Sequence, residues 1–353
     1  MQKKVGRNFS TARELIAVAR ETDKALKFKA RTRKEWMAWR PKLLKVLKAS
    51  YGRTIPKVPL KPQLIERKDC GKYIRELVVY NTTPHMSVPA YVLTPKGLTG
   101  RVPGVLCIHG HGTGAFDLVG LTKGPNAHHD YALDVVNQGM VAIAPDLRGF
   151  GYRAVDEDQL RMTLKRLNLP EYGWFMRDKC STFHLHAELL GFTFTYLQIH
   201  DLLCGIDYLQ TRKEVDRSRI GCIGLSGGGC MTMHVAAIDE RVKAAVISGA
   251  FTSYHSYALE IETFCGMQIP VGIMNYADVA DITCLIAPRA LCVESGKKDF
   301  GFLQKVARRE WGRVKQCYQA AGVPEKCLLD TFGGEHEWHG AKSIPFLKKW
   351  LNV

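Results

Sequence analysis

The chain has 353 residues, 46% hydrophobic and 24% charged. That is enough apolar content for one large core or two medium ones, and it excludes a collagen-like, disordered or small disulfide-scaffold protein. No run approaches ~18 apolar residues, so a membrane-spanning helix is not expected. The net charge of +16 is localised: residues 1–72 carry 21 Lys/Arg against 6 Asp/Glu, and the rest carry 29 against 28. A basic surface spread over the whole molecule would point to nucleic acid. A near-neutral body with one basic segment instead fits helices that pack a Trp/Leu stripe and keep their cations in water.

Two helices are predicted in the first ~50 residues, each opened by a capping box, Thr11-x-x-Glu14 and Thr32-x-x-Glu35. The second carries Trp36, Trp39, Leu43, Leu44 and Leu47 on one face, with Pro41 as a kink and Gly52 as a stop. Residues 1–62 therefore read as a basic helical extension. A main domain over 63–353 opens with a meander, 73–80 and 88–93. Strands at 102–110, 140–146, 219–226, 242–250, 290–296 and 326–332 then alternate with helices at 128–139, 180–210, 228–239, 303–321 and 341–352. Short apolar strands alternating with helices predict an α/β fold, a mainly parallel sheet covered on both faces, with the site at the carboxyl ends of its strands. The segments 149–180 and 251–284 interrupt the alternation and are candidate lid or substrate-wall insertions.

Gly224-Leu225-Ser226-Gly227-Gly228 joins a strand to a helix without a gap. That is the setting of a nucleophile elbow, whose glycines permit a strained turn that lifts a serine hydroxyl above the sheet. A plain glycine-rich turn, suited to phosphate, is the bland alternative. A serine nucleophile needs a base and the base an orienting acid, in the order Ser, Asp or Glu, His. His336, in the loop after the last strand, is the expected base, with His339 as its rival. His234 lies behind the elbow, where packing is expected, and His255 lies in the second insertion. Asp299, just past the strand before the last, is the expected acid, and Glu294 within that strand competes with it. His109-Gly110-His111-Gly112 follows an early central strand, so the backbone N–H groups of His111 and Gly227 are the expected oxyanion donors. Arg148, Trp338 and Tyr254 are candidate substrate contacts, and Phe251, Tyr257 and Trp174 could share an apolar wall with them.

No cofactor is expected: the HGHGTG loop lacks G-x-G-x-x-G spacing and there is no P-loop. No metal is expected either. The histidines of His336-Glu337-Trp338-His339 are three apart on a loop rather than four apart on a helix, and His109-x-His111 and His184-x-His186 lack companion carboxylates. The 11 cysteines include no CxxC pair. With an opening MQKKVGRNFSTARE that has no apolar leader, they read as reduced thiols of a cytoplasmic chain.

The stretches LCIHGHGTG (106–114), APDLRGFG (144–151), IGCIGLSGGG (220–229), YADVADITCLIAPRALCVESGKKD (276–299) and FGGEHEWHG (332–340), with the Trp/Arg-rich helix before them, resemble the alpha/beta hydrolases. Within these they resemble the dienelactone-hydrolase-like and acetyl-xylan-esterase-like branch. The resemblance implies an alpha/beta hydrolase fold and a cofactor-free serine hydrolase of small carboxylic esters (small-acyl, aryl or acetylated-sugar), with Ser226, Asp299 and His336 as its triad. It departs from the family where a true dienelactone hydrolase has a cysteine, since Ser226 stands here, and many relatives are exported. A peptidase or amidase on the same triad, and a hydrolase-like binding module using the basic helices, are the alternatives.

Overall fold

The computed structural model describes residues 7–154, 162, 165–168 and 179–353. Its sheet has the order β1-β2-β3-β5-β4-β6-β7-β8-β9. The strands are β1 Gln63–Asp69, β2 Tyr73–Thr83, β3 Met86–Pro95, β4 Val102–Ile108, β5 Val141–Pro145, β6 Val215–Leu225, β7 Val242–Ser248, β8 Ala290–Gly296 and β9 Cys327–Phe332. β1, β2, β3 and β5 pair antiparallel, and every pairing from β5 through β4 to β9 is parallel. The helices are α1 Thr11–Glu21, α2 Arg33–Ala49, α3 Tyr131–Asn137, α4 Lys179–Leu189, α5 Phe194–Leu209, α6 Gly227–Ile238, α7 Val279–Cys284, α8 Gln304–Ala320 and α9 Ser343–Leu351. This is the alpha/beta hydrolase arrangement that the sequence implies.

The alternation of side chains along a strand divides the core in two. Along β4, Leu106 and Ile108 join the layer formed with α2, α5, α6, α7 and α8, while Val105 and Cys107 join the layer under α3 and α9. Central strands buried on both faces read as continuous apolar runs, which is why β4 to β8 are visible in the sequence. β1 (QLIERKD) is not, because all seven of its residues are exposed. It is an edge strand held by its backbone ladder to β2, so no hydropathy pattern marks it. The long helix expected at 180–210 is two helices, parted where Gly191 takes a φ of +80°.

α2 begins with the expected capping box: Thr32 Oγ1 accepts from Glu35 N–H, and the Glu35 carboxylate accepts from Thr32 N–H. It continues through Pro41 as one helix. Trp36, Leu43 and Leu47 are buried in the same core layer as α6 and α8, and Arg40 reaches Glu240 and the Leu285 carbonyl. α1 is capped by Ser10 rather than Thr11 and buries no residue; its Arg20 meets Glu260. No described helix is long and apolar enough to cross a membrane.

Leu43 has no exposed surface. Leu43→Ala is expected to lower unfolding free energy by about 3 kcal/mol, the usual cost of removing a buried leucine and leaving a cavity, as read by urea denaturation. A cost below 1 kcal/mol would mean that α2 is not part of the main core.

Candidate functional site

β6 lies between β4 and β7 and stops at Leu225. The next residue, Ser226, has φ 59° and ψ −124°, and α6 starts at Gly227. A serine at positive φ is strained, and close packing holds it there. A Cβ on Gly228 would collide with the Ile108 carbonyl, and one on Gly224 with the Gly228 carbonyl. The helix therefore starts hard against the ends of β4 and β6. Ser226 N–H donates to the Ser248 carbonyl (2.9 Å) at the end of β7.

His336 hangs in the loop after β9. Its Nδ1 is 2.8 Å from Asp299 Oδ2, so Nδ1–H faces the carboxylate and the Nε2 lone pair faces away from it. Asp299 is buried past the end of β8, and its Oδ1 accepts from Gly301 N–H (2.9 Å) and Phe302 N–H (2.8 Å). The Phe302 ring stacks on the imidazole (5.5 Å, 10°), and Tyr257 stacks on Phe302 (4.6 Å). A Cβ on Gly249 would lie 3.2 Å from His336 Nδ1 and Cε1. Gly249 follows Ser248, whose carbonyl holds Ser226, so serine and imidazole flank one dipeptide.

The rival residues have structural partners. His339 pairs with Asp330 (2.9 Å) and stacks on Phe332. Glu294 is buried, which pushes its carboxyl pKa up, and it accepts from Gly340 N–H (3.0 Å) and His339 N–H (3.4 Å). Together they shape the loop that carries His336. His234 bonds the Tyr51 hydroxyl (2.9 Å), and His255 lies 3.5 Å from Glu260.

The loop after β4 is braced by two imidazoles. His109 Nδ1–H donates to the Gly110 carbonyl (2.7 Å), and its Nε2 accepts from Leu147 N–H (2.9 Å), which ties the end of β4 to the end of β5. Acceptance at Nε2 needs a neutral ring, and burial pushes the His109 pKa down to about 3. His128 Nε2 accepts Gly110 N–H (2.8 Å). The N–H of His111 makes no hydrogen bond to a described residue, and Gly227, first in its helix, has no intrahelical acceptor. A Cβ on Gly227 would lie 3.3 Å from His111 Nδ1, so the two residues adjoin. Asp146, pushed up to about 6 by burial, accepts from Ala115 and Tyr152 N–H and fixes the next turns.

Arg148 is committed to Asp201 through Nε (2.8 Å) and Nη2 (2.9 Å), and Arg153 is on the same carboxylate. Trp338 is buried against Tyr131 and donates to Asp134 (3.2 Å). Tyr254 is buried, and its N–H donates to Asp278. Phe251 packs on Trp311. Trp174, and much of the 149–180 insertion, lie outside the described residues. A cavity of about 760 Å³ opens beside Arg148, Tyr152, Phe183 and Phe194, and none of Ser226, Asp299 and His336 lines it. Phe302 and His128 were missed by sequence reasoning. They act through contacts with His336 and Gly110 in other segments, and no spacing marks them.

Residues 2–260 match the Abhydrolase family. A Bacillus subtilis (strain 168) protein named as a hydrolase, YtaP, is 27% identical over 237 residues, 65% of this chain and 72% of its own length. Among solved structures, one from Bacteroides fragilis described as an acetyl xylan esterase superposes with a TM-score of 0.79 at 18% identity, covering 98% of this chain and 96% of that one. A glucuronoyl esterase from Solibacter usitatus has a TM-score of 0.66 at 15% identity, covering 93% and 96%.

His109 is expected to stay neutral well into acid. The unfolded chain binds a proton at the ordinary pKa of 6.5 and the folded one only near 3. This contribution to stability is therefore whole above pH 6.5 and is lost as pH falls towards 3. Ring ¹⁵N NMR should show an unchanged Nδ1–H tautomer from pH 7.5 to 4.5; titration of this ring above pH 5 would contradict the bracing role.

Proposed function

Given that the chain belongs to the Abhydrolase family, we propose that it is a serine esterase that hydrolyses carboxylic esters through an acyl-enzyme on Ser226. The observation that carries this is the His336–Asp299 pair at 2.8 Å, set across Ser248–Gly249 from a serine at φ 59°. Ser226 Oγ attacks the ester carbonyl while His336 Nε2 takes its proton. Asp299 holds the Nδ1–H tautomer and stabilises the imidazolium. The proposed donors to the negative oxygen are the N–H groups of the adjoining residues His111 and Gly227. His336 gives that proton to the leaving alcohol, then takes one from water as the water oxygen attacks the acyl carbon, and finally passes it to Ser226 Oγ as the bond to the acyl group breaks and the acid leaves.

Small-acyl, aryl or acetylated-sugar esters are the proposed substrates, in keeping with the acetyl xylan and glucuronoyl esterase structures of the same fold. Arg148, Trp338 and Tyr254 receive no step, since the contacts described for them are with protein. Residues 1–62 are proposed as an extension whose second helix docks on the catalytic body, with 251–284 as part of the wall around the site.

A fluorophosphonate should label the protein at Ser226, and Ser226→Ala should abolish labelling. On p-nitrophenyl acetate, Ser226→Ala, His336→Ala and Asp299→Asn should each lower kcat by roughly 10³- to 10⁵-fold with an unchanged circular dichroism spectrum. The matched anilide should turn over far more slowly than the ester. Wild-type ester turnover by folded Ser226→Ala would remove the serine from the mechanism, and equal anilide turnover would favour an amidase.

A further inference from the structure

The two insertions each bring one thiol to the oxyanion loop. Cys180, in the first turn of α4, and Cys265, at the start of the 266–268 turn, are both buried. Their Sγ atoms lie 3.8 Å and 3.3 Å from the same atom, His111 Nε2. One ligand atom from each of the three residues lies within 4.8 Å of the other two. Met267 adds a third sulfur, 4.0 Å from Cys180 Sγ. Phe150 packs edge-on against the His111 ring (5.4 Å, 87°) and orients it. His111 is an exposed residue, while Cys180 and Cys265 are buried.

We propose that His111, Cys180 and Cys265 form a binding site for one thiophilic divalent cation of the zinc class. Two thiolates and an imidazole are a donor set for such an ion. Around a tetrahedral ion with bonds of about 2.3 Å to sulfur and about 2.1 Å to nitrogen, neighbouring donors stand about 3.6–3.8 Å apart. The two sulfur-to-nitrogen separations, 3.3 and 3.8 Å, bracket this spacing, and the sulfur-to-sulfur edge is no longer than 4.8 Å. Each thiol loses its proton as its sulfur binds, so one ion releases two protons and no electron is transferred. Of the described residues, Glu294, Asp330 and His339 make a second mixed cluster, but the Lys342 ammonium already occupies Asp330 (2.8 Å). The cation site stands on its own geometry and does not depend on the esterase reading. Its consequence is structural: an ion there fastens both insertions to the loop beside Gly227.

The test uses reduced full-length protein carrying Cys70→Ser and Cys327→Ser, which removes the two cysteines that are not buried. It is titrated with Cd(II), then with Zn(II), under a phosphine reductant. A thiolate-to-cadmium charge-transfer band should saturate at one equivalent, and zinc should displace it. Adding Cys180→Ser and Cys265→Ser should abolish the band. His111→Ala, at an exposed position, should weaken binding at least tenfold and decides the matter if the double serine variant does not fold. Ser226→Ala should bind one equivalent as before, which separates this result from the fate of the esterase proposal. The absence of a one-equivalent band, its survival in the folded double variant, or wild-type affinity in His111→Ala would overturn the site.

Discussion

A serine held at φ 59° and ψ −124° costs an L-residue of the order of 1–3 kcal/mol and persists only where its surroundings leave no other conformation. Here the surroundings are the ends of three adjacent parallel strands. β4 contributes the Ile108 carbonyl, against which Gly228 fits only without a side chain. β7 contributes the Ser248 carbonyl, which takes the Ser226 N–H. β6 delivers the chain to that point and α6 removes it. Relaxing the turn would pull α6 away from β4 and break the hydrogen bond to β7. The strain is therefore borne by the packing of the whole sheet centre.

The histidines divide by environment rather than by type. His336 reaches a buried carboxylate through one nitrogen and has an aromatic ring against its face, so it is oriented yet partly accessible. His339 has a similar carboxylate and a similar ring, but it serves the loop that carries His336. His109 and His234 are buried, and desolvation holds both down to about 3. A neutral imidazole that donates through one nitrogen and accepts through the other links two strand ends in a way a charged ring could not.

The basic N-terminal segment is not a free arm. The Trp36, Leu43 and Leu47 stripe of α2 completes a core layer that the sheet and its helices leave open, and Phe28 N–H donates to the buried Asp281 carboxylate (2.8 Å). Lys34, Lys42, Lys45 and Lys48 of α2 are exposed, while the half-buried Arg40 turns to the body and pairs with Glu240. Charge counts alone make this segment look separate; burial of its apolar face joins it to the body.

Local chemistry made most of the fold readable. Doubly buried strands are unbroken apolar runs, capping residues sit within three positions of the donors they satisfy, and the elbow glycines are adjacent in sequence to the serine they serve. Ser226, Asp299 and His336 could be singled out because each follows a strand, and strand ends in such a sheet converge. The edge strand β1 left no trace, because backbone pairing does not depend on side-chain polarity. The sequence favours Asp299 over Glu294 and His336 over His339 from their places past strand ends, and the structure adds side-chain direction: Asp299 faces His336, His339 faces Asp330, and Glu294 faces the backbone of residues 339 and 340. The Arg148–Asp201 pairing and the meeting of Cys180 and Cys265 on His111 were decided by tertiary structure alone. Their partners are 53, 69 and 154 residues apart, and at such separations contact is set by how helices and insertions pack over the sheet, which no local spacing encodes.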